Sequence, residues 1–182
     1  VGSEMCIRDR ARLKPSPLYL AADAARIEPG NLEDHLPRLA ACDWVIEVVV
    51  ENMAVKKQLL GEKVAPHLRA DAVLSSNTSG LSVNEIAAAL PEGLRPRFLV
   101  THFFNPPRYM RLVEIVPSRF TDPAVTASMA AFVGQRLGKG VVHAKDTPNF
   151  VANRIGVFSM ANAIHHTIDL GMTVEEVDAV AG

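Results

Sequence analysis

Nearly continuous apolar runs alternate along this chain with stretches in which apolar residues recur every three or four positions, and this alternation sets the predicted elements. The run Trp44-Val45-Ile46-Glu47-Val48-Val49-Val50 is mostly β-branched and does not alternate, which predicts a central parallel strand covered on both faces. Glu51 and Asn52 then open a helix with Val55, Leu59 and Val64 on one stripe, disturbed near Pro66. A short strand, Ala72-Val73-Leu74-Ser75, runs into the polar turn Ser76-Asn77-Thr78-Ser79-Gly80. Ser82 and Glu85 follow with capping-box spacing for a helix ending near Leu90. Phe98 to Phe104 and Leu112 to Val116 read as further strands. Asp122-Pro123 starts a helix that Gly138 ends, and Val141-Val142-His143 is the last strand. Ahead of all these, Lys14 to Ala41 holds two Pro-containing turns and short helical patches, with Leu36, Leu39 and Ala40 suggesting a helix face.

The pattern changes after Asp146-Thr147-Pro148, where a domain boundary is expected at about Thr147. Phe150 to Leu170 reads as one long, mostly apolar helix closed by Gly171, and Thr173 with Glu176 can cap another. Strand, helix, strand, helix in succession implies right-handed crossovers and an α/β sheet, with the start of an all-α domain behind it. At the other end, the first ten residues, VGSEMCIRDR, have neither periodicity and resemble a translated adapter remnant, so the native chain is expected to begin near Ala11.

Composition narrows the classes. With 182 residues, 48% of them hydrophobic, the chain can bury one ordinary core. Nineteen basic against twenty acidic residues give a formal charge of −1 without any Lys/Arg-rich run, so nothing favours nucleic acid as a partner. Cys6 and Cys42 are too few for a disulfide framework and lack metal-ligand spacing. No apolar stretch approaches the roughly 20 residues needed to span a bilayer, so no membrane association is expected.

In an open α/β sheet, ligands bind beyond the carboxyl ends of the strands. The residues there are Glu51, Ser79 and His102 to Asn105, with Asn153 past the domain boundary. His102 and Glu114 each interrupt an apolar run. A buried charge is costly unless paired, so contact between them would explain both, the Glu fixing the tautomer of the His and raising its basicity. A satisfied core histidine and an edge glutamate facing solvent would leave the same pattern, and spacing does not separate the two. By composition alone Ser79 and Asn77 are turn formers, Asn153 a surface helix residue and Lys56 a solvated charge. His165-His166 point about 100° apart on a helix and cannot share one metal, and no metal site is expected. Gly138-Lys139-Gly140 lacks the spacing of a phosphate loop and follows a helix instead of opening one.

Four motifs in order carry a resemblance: Ser76-Asn77-Thr78-Ser79; Thr101-His102-Phe103-Phe104-Asn105-Pro106; Leu112-Val113-Glu114; and Asp146-Thr147-Pro148-Asn149-Phe150-Val151-Ala152-Asn153-Arg154. Together they resemble the 3-hydroxyacyl-CoA dehydrogenases of fatty-acid β-oxidation, over roughly residues 11–182. Lys14-Pro15-Ser16-Pro17-Leu18-Tyr19 with Trp44 to Asn52 looks most like the large bacterial forms fused to an enoyl-CoA hydratase.

The resemblance implies a Rossmann-like NAD-binding domain over residues 11–146 and the start of a helical dehydrogenase domain over 147–182. It makes His102 the general base and Glu114 its orienting carboxylate, with Ser79 and Asn153 near the reacting oxygen. Glu51, Lys56, Asn77 and Asn105 are implied beside NAD, and acyl-CoA is the implied substrate. A homodimer in the cytoplasm is the implied setting. Family members begin with a βαβ unit carrying a G-x-G-x-x-G turn, and no such motif occurs in these 182 residues. The domain is therefore expected to be a truncated one lacking its first βαβ unit, and the chain as given is expected to be inactive alone. A related dehydrogenase acting on a non-CoA hydroxy acid, or a non-enzymatic binding module, remain the other readings.

Overall fold

The computed structural model describes Lys14 and residues 16–181; the ten-residue segment expected to be foreign, Cys6 included, lies outside them. Five strands form one sheet in sequence order: β1 (Trp44–Glu47), β2 (Val73–Ser76), β3 (Phe98–Phe103), β4 (Leu112–Pro117) and β5 (Gly140–His143). β1, β2 and β3 run parallel, β4 turns back antiparallel to β3, and β5 is parallel to β4. Parallel neighbours need a crossover. Helices α1 (Met53–Gln58), α2 (Val83–Ala88) and α3 (Pro123–Arg136) lie in those connections, whereas a turn over residues 104–111 suffices between β3 and β4. The α/β class read from the alternating elements is the fold observed.

Local chemistry starts these helices. The Asn52 side chain accepts from Val55 N at 3.1 Å, the Ser82 hydroxyl from Glu85 N at 3.3 Å, and Asp122 from Ala124 N at 2.8 Å ahead of Pro123, so each satisfies an orphan amide of a first turn. After α1 the chain widens into a π-wound segment, Leu59–Val64, and tightens into a 3-10 turn, Ala65–His67, around Pro66, which has no amide to donate.

Strand alternation divides the core between the faces of the sheet. Phe98 and Val100 pack with Leu60, Val64, Leu74, Val83 and Ile86 beneath α1 and α2. Leu99 points the other way and packs with Val113, Ile115, Met129 and Val133 beneath α3. Two positions along from Val100 comes His102, and two before Val116 comes Glu114. The pleat therefore puts both ionisable residues on the α1–α2 face, and the antiparallel register sets them directly opposite each other.

Two expectations change. β1 pairs only with β2, so among the described residues it is the edge strand and not a central one; its ladder stops at Glu47, and Val48 is 69% exposed. The long helix, α4, spans Ala152–Leu170 instead of starting at Phe150, because Asn149 and Phe150 take left-handed backbone angles (φ 63° and 47°) that no right-handed helix accommodates. Gly171 closes it at φ 63°. No residue of α4 is buried. The last helix, α5 (Val174–Ala181), opens with a reciprocal box: Thr173 N donates to Glu176 Oε2 at 2.8 Å and Glu176 N to Thr173 Oγ1 at 3.2 Å. Among the described residues no helix is long and apolar enough to cross a membrane.

Candidate active site

His102 is 4% exposed and Glu114 fully buried, and His102 Nδ1 lies 2.7 Å from Glu114 Oε2. Phe104 packs against the imidazole at 4.4 Å between ring centroids and Phe150 at 5.9 Å, so the ring is walled by aromatic faces. With Nδ1 committed to the carboxylate, Nε2 is the nitrogen left for other chemistry. It has no protein partner among the described residues, and no buried side-chain nitrogen or oxygen there is left unsatisfied, so Nε2 keeps access to solvent.

The second oxygen of Glu114 accepts from Val151 N at 2.9 Å and Ala152 N at 2.8 Å, the amides that begin α4. The left-handed turn at Asn149 and Phe150 aims those two amides at the carboxylate. Asparagine tolerates positive φ better than most side chains. Its Oδ1 would stand 3.0 Å from a β-carbon on Gly80, so a larger residue there would require the Asn149 side chain to shift. Glu114 is thus fixed by the amides of a helix amino terminus on one side and orients His102 on the other.

Asn153 follows two residues after Val151, and its Nδ2 donates to Ser79 O at 3.3 Å. Ser79 N donates to Glu51 Oε1 at 2.9 Å, and Thr78 Oγ1 donates to the same oxygen. Burial alone would raise the Glu51 pKa, but the hydrogen bonds from Thr78 and Ser79 and the Lys56 charge outweigh it and hold the carboxyl below its ordinary 4.5. Lys56, read as a solvated charge or a cofactor neighbour, is only 1% exposed. Its Nζ stands 2.8 Å from Glu47 Oε1, 3.2 Å from Val49 O and 3.4 Å from Glu51 Oε2. Asn77 Oδ1 accepts from Phe103 N at 2.8 Å, tying the β2 turn to the end of β3. Asn77 and Asn105 share a cleft of about 490 Å³ walled by Ile46, Val48, Phe103 and Phe104.

His102, Glu114, Asn153, Ser79, Glu51 and Lys56 therefore sit on one path of direct contacts through the start of α4, and Asn77 with Asn105 flanks it. Two members escaped the sequence reading. Glu47 is an acid inside an apolar run, the same signal that marked His102 and Glu114. Asp146 accepts from Ser82 Oγ, Val83 N, Asn84 N and Asn84 Nδ2, pinning the segment before α4 to the start of α2, and nothing in its local sequence announces that. The Gly138-Lys139-Gly140 segment holds no phosphate cradle: Gly138 (φ 65°) ends the helix, and Lys139 Nζ donates to Pro107 O and Met110 O.

A mostly parallel sheet with a largely apolar cleft at its carboxyl edge fits the dinucleotide-binding class, and the comparisons narrow it. Residues 10–147 match the family model described as "3-hydroxyacyl-CoA dehydrogenase, NAD binding domain". The chain belongs to the 3-hydroxyacyl-CoA dehydrogenase family. It is 46% identical over 180 residues to the "Probable 3-hydroxyacyl-CoA dehydrogenase" of Bacillus subtilis, covering 99% of this chain and 23% of that protein. Against the "Putative fatty acid oxidation complex trifunctional enzyme" of Rickettsia prowazekii, it is 37% identical over 174 residues, 96% of this chain and 24% of that protein. The crystal structure of FadB2 from M. tuberculosis superposes with a TM-score of 0.78 at 33% identity, covering 94% of this chain and 59% of that one. The chain thus spans about a quarter of the length of the first two.

NAD is the family's cofactor. The apolar cleft carries the side-chain amides of Asn77 and Asn105, suited to a flat ring bearing a carboxamide, and Glu51, an acceptor only, suits hydroxyl donors such as those of a ribose. The residues fit that half of the cofactor. No glycine turn in the chain answers to the pyrophosphate.

Proposed function

We propose that this chain is the catalytic portion of a cytoplasmic NAD-dependent dehydrogenase that oxidises (3S)-3-hydroxyacyl-CoA to 3-oxoacyl-CoA in fatty-acid β-oxidation. The observation that carries the reading is the buried His102–Glu114 pair with Nε2 left free. His102 takes the proton of the substrate 3-hydroxyl at Nε2 as that carbon is oxidised, and Glu114 holds the Nδ1 proton and balances the imidazolium that forms. Ser79 and Asn153, linked to each other, position the reacting oxygen. Glu51, Asn77 and Asn105 hold NAD, which when bound supplies the hydride acceptor.

Residues 11–146 form part of the NAD-binding domain, and 147–182 begin a helical domain. The exposed apolar residues of α4 (Val157, Met160, Ile164 and Ile168 on one stripe) support burial of that helix against more of this domain or a second subunit, as expected of a homodimer. The similarity to a trifunctional enzyme supports fusion to a hydratase.

The test follows NADH oxidation with acetoacetyl-CoA, using the full-length protein and residues 11–182 separately. Turnover by the long form alone, absent with free acetoacetate, is expected. Comparable turnover by residues 11–182, abolished by His102→Ala, would show that the pyrophosphate turn is dispensable.

A further inference from the structure

The segment that joins the sheet to α4 is laid along the chain that follows β2, and it is held there at three points. Asp146 makes the first. Its Oδ1 accepts from Val83 N at 2.9 Å, and its Oδ2 from Ser82 Oγ at 3.0 Å, Asn84 N at 2.9 Å and Asn84 Nδ2 at 2.5 Å. Asn149 makes the second by lying against Gly80. Asn153 makes the third through Ser79 O. Between them Phe150 N donates to Thr147 O at 3.0 Å, and the Phe150 ring is buried beside the His102 imidazole.

Capping α2 does not by itself call for this arrangement. A cap needs a side-chain acceptor for an orphan amide, and Ser82 supplies one locally by accepting from Glu85 N. Asp146 adds two amides and two side-chain donors from more than sixty residues away, and so fixes its own end of the contact as well. The consequence lies five residues on. There Val151 N and Ala152 N donate to Glu114 Oε1, while Glu114 Oε2 meets His102 Nδ1. No residue of α4 is buried, so packing of the helix does not hold its first turn in place. That task falls to the linker.

We propose that Asp146 is a positioning residue for the His102–Glu114 pair. By fixing the linker on the first turn of α2, it sets where the Val151 and Ala152 amides stand; those amides set Glu114, and Glu114 sets the imidazole. The same docking aligns Asn153 with the Ser79 backbone, so the base and the groups beside the reacting oxygen share one frame. The proposal rests on the dehydrogenase reading above.

The experiment uses the full-length enzyme with Asp146→Asn, which keeps the size but turns an amide N–H2 towards donors, and Asp146→Ala, which lets water reach this half-buried position. Each is made alone and in a Glu114→Gln background. Alone, either is expected to lower kcat per folded molecule about tenfold with KM for NAD within about twofold, and to speed hydrogen exchange at the Val151 and Ala152 amides. In the Glu114→Gln background the same change is expected to cost under about twofold, because the contact it acts through is already weakened. A folded variant with wild-type kcat and wild-type exchange overturns the role of Asp146, as does an equal loss in both backgrounds; both results leave the dehydrogenase reading intact. Failure of both variants to fold makes Asp146 a stability residue and overturns the proposal too. A wild-type enzyme without NAD-dependent turnover overturns the reading itself, and the exchange rates then still decide whether Asp146 sets the start of α4.

Discussion

The carboxyl edge of the sheet and the helix that follows it are opposite kinds of surface. At the sheet, charged residues lie inside and each finds a partner: Glu47 with Lys56, Glu114 with His102 and the α4 amides. On α4, apolar residues lie outside without one, as with Ile168 at 71% exposure. The first region is complete in its own contacts, and the second has an address but no neighbour. Glu114 belongs to both, since one oxygen aims the histidine and the other anchors the helix. The orientation of the base thus depends on where the helical segment starts.

The sharpest way to separate the two regions is to remove the base. His102→Ala in the full-length enzyme should cost about 10²–10⁴ in kcat, the usual contribution of a general base, while changing KM for NAD little. Retained turnover in steady-state assays would refute the assignment. Glu114→Gln should also depress the chemical step more than cofactor binding. Unlike loss of the histidine, it should speed exchange at the amides of Val151 and Ala152, which lose an anionic acceptor. A normal exchange pattern there would mean that the helix is anchored by other contacts.

Stability gives the next contrast. Leu74 is fully buried under α1 and α2, and Leu74→Ala should cost about 2–5 kcal/mol in urea unfolding. Ile168→Ala, at an exposed position of α4, should change the stability of this 182-residue chain by under about 0.5 kcal/mol. In a longer form that covers the helix the second figure should rise. If Ile168→Ala costs as much as Leu74→Ala in the short chain, α4 already has a neighbour.

How far the sequence announces these features depends on whether a residue's reason lies nearby in the chain. Strands β2 to β5 are apolar runs, and all four helix starts read from capping residues have the predicted side-chain bond, so both kinds of element were legible. That β1 is an edge was not, because an apolar run cannot say whether its neighbour is present. The start of α4 was misplaced by two residues because positive φ at Asn149 and Phe150 has no signature when the residue is not glycine. The cost of burying either His102 or Glu114 alone made their contact one of two open readings, and the ordered motifs of the family resemblance decided for it. The same logic at Glu47 went unused, and without it Lys56 reads as a surface charge. Asp146 caps a helix more than sixty residues away, a contact set only by the tertiary fold.

Acid provides the finest probe of the boundary between the paired and open regions. Glu51 is held below its ordinary 4.5, against the effect of burial, by Thr78, Ser79 and Lys56. A carboxylate whose folded pKa lies below its unfolded one stabilises the fold fully above the unfolded value, and that contribution is lost as pH falls through the folded value. The part of the stability that Glu51 supplies should therefore be constant above about pH 5 and fade below pH 4.5. Urea midpoints from pH 6 down to pH 3 should show a shallower decline for Glu51→Gln than for wild type. Asp71, likewise held below its ordinary 3.8 by Arg69, contributes equally to both curves. The difference between the curves thus isolates Glu51, and parallel curves would mean that its hydrogen bonds to the β2 turn do not outweigh burial in solution.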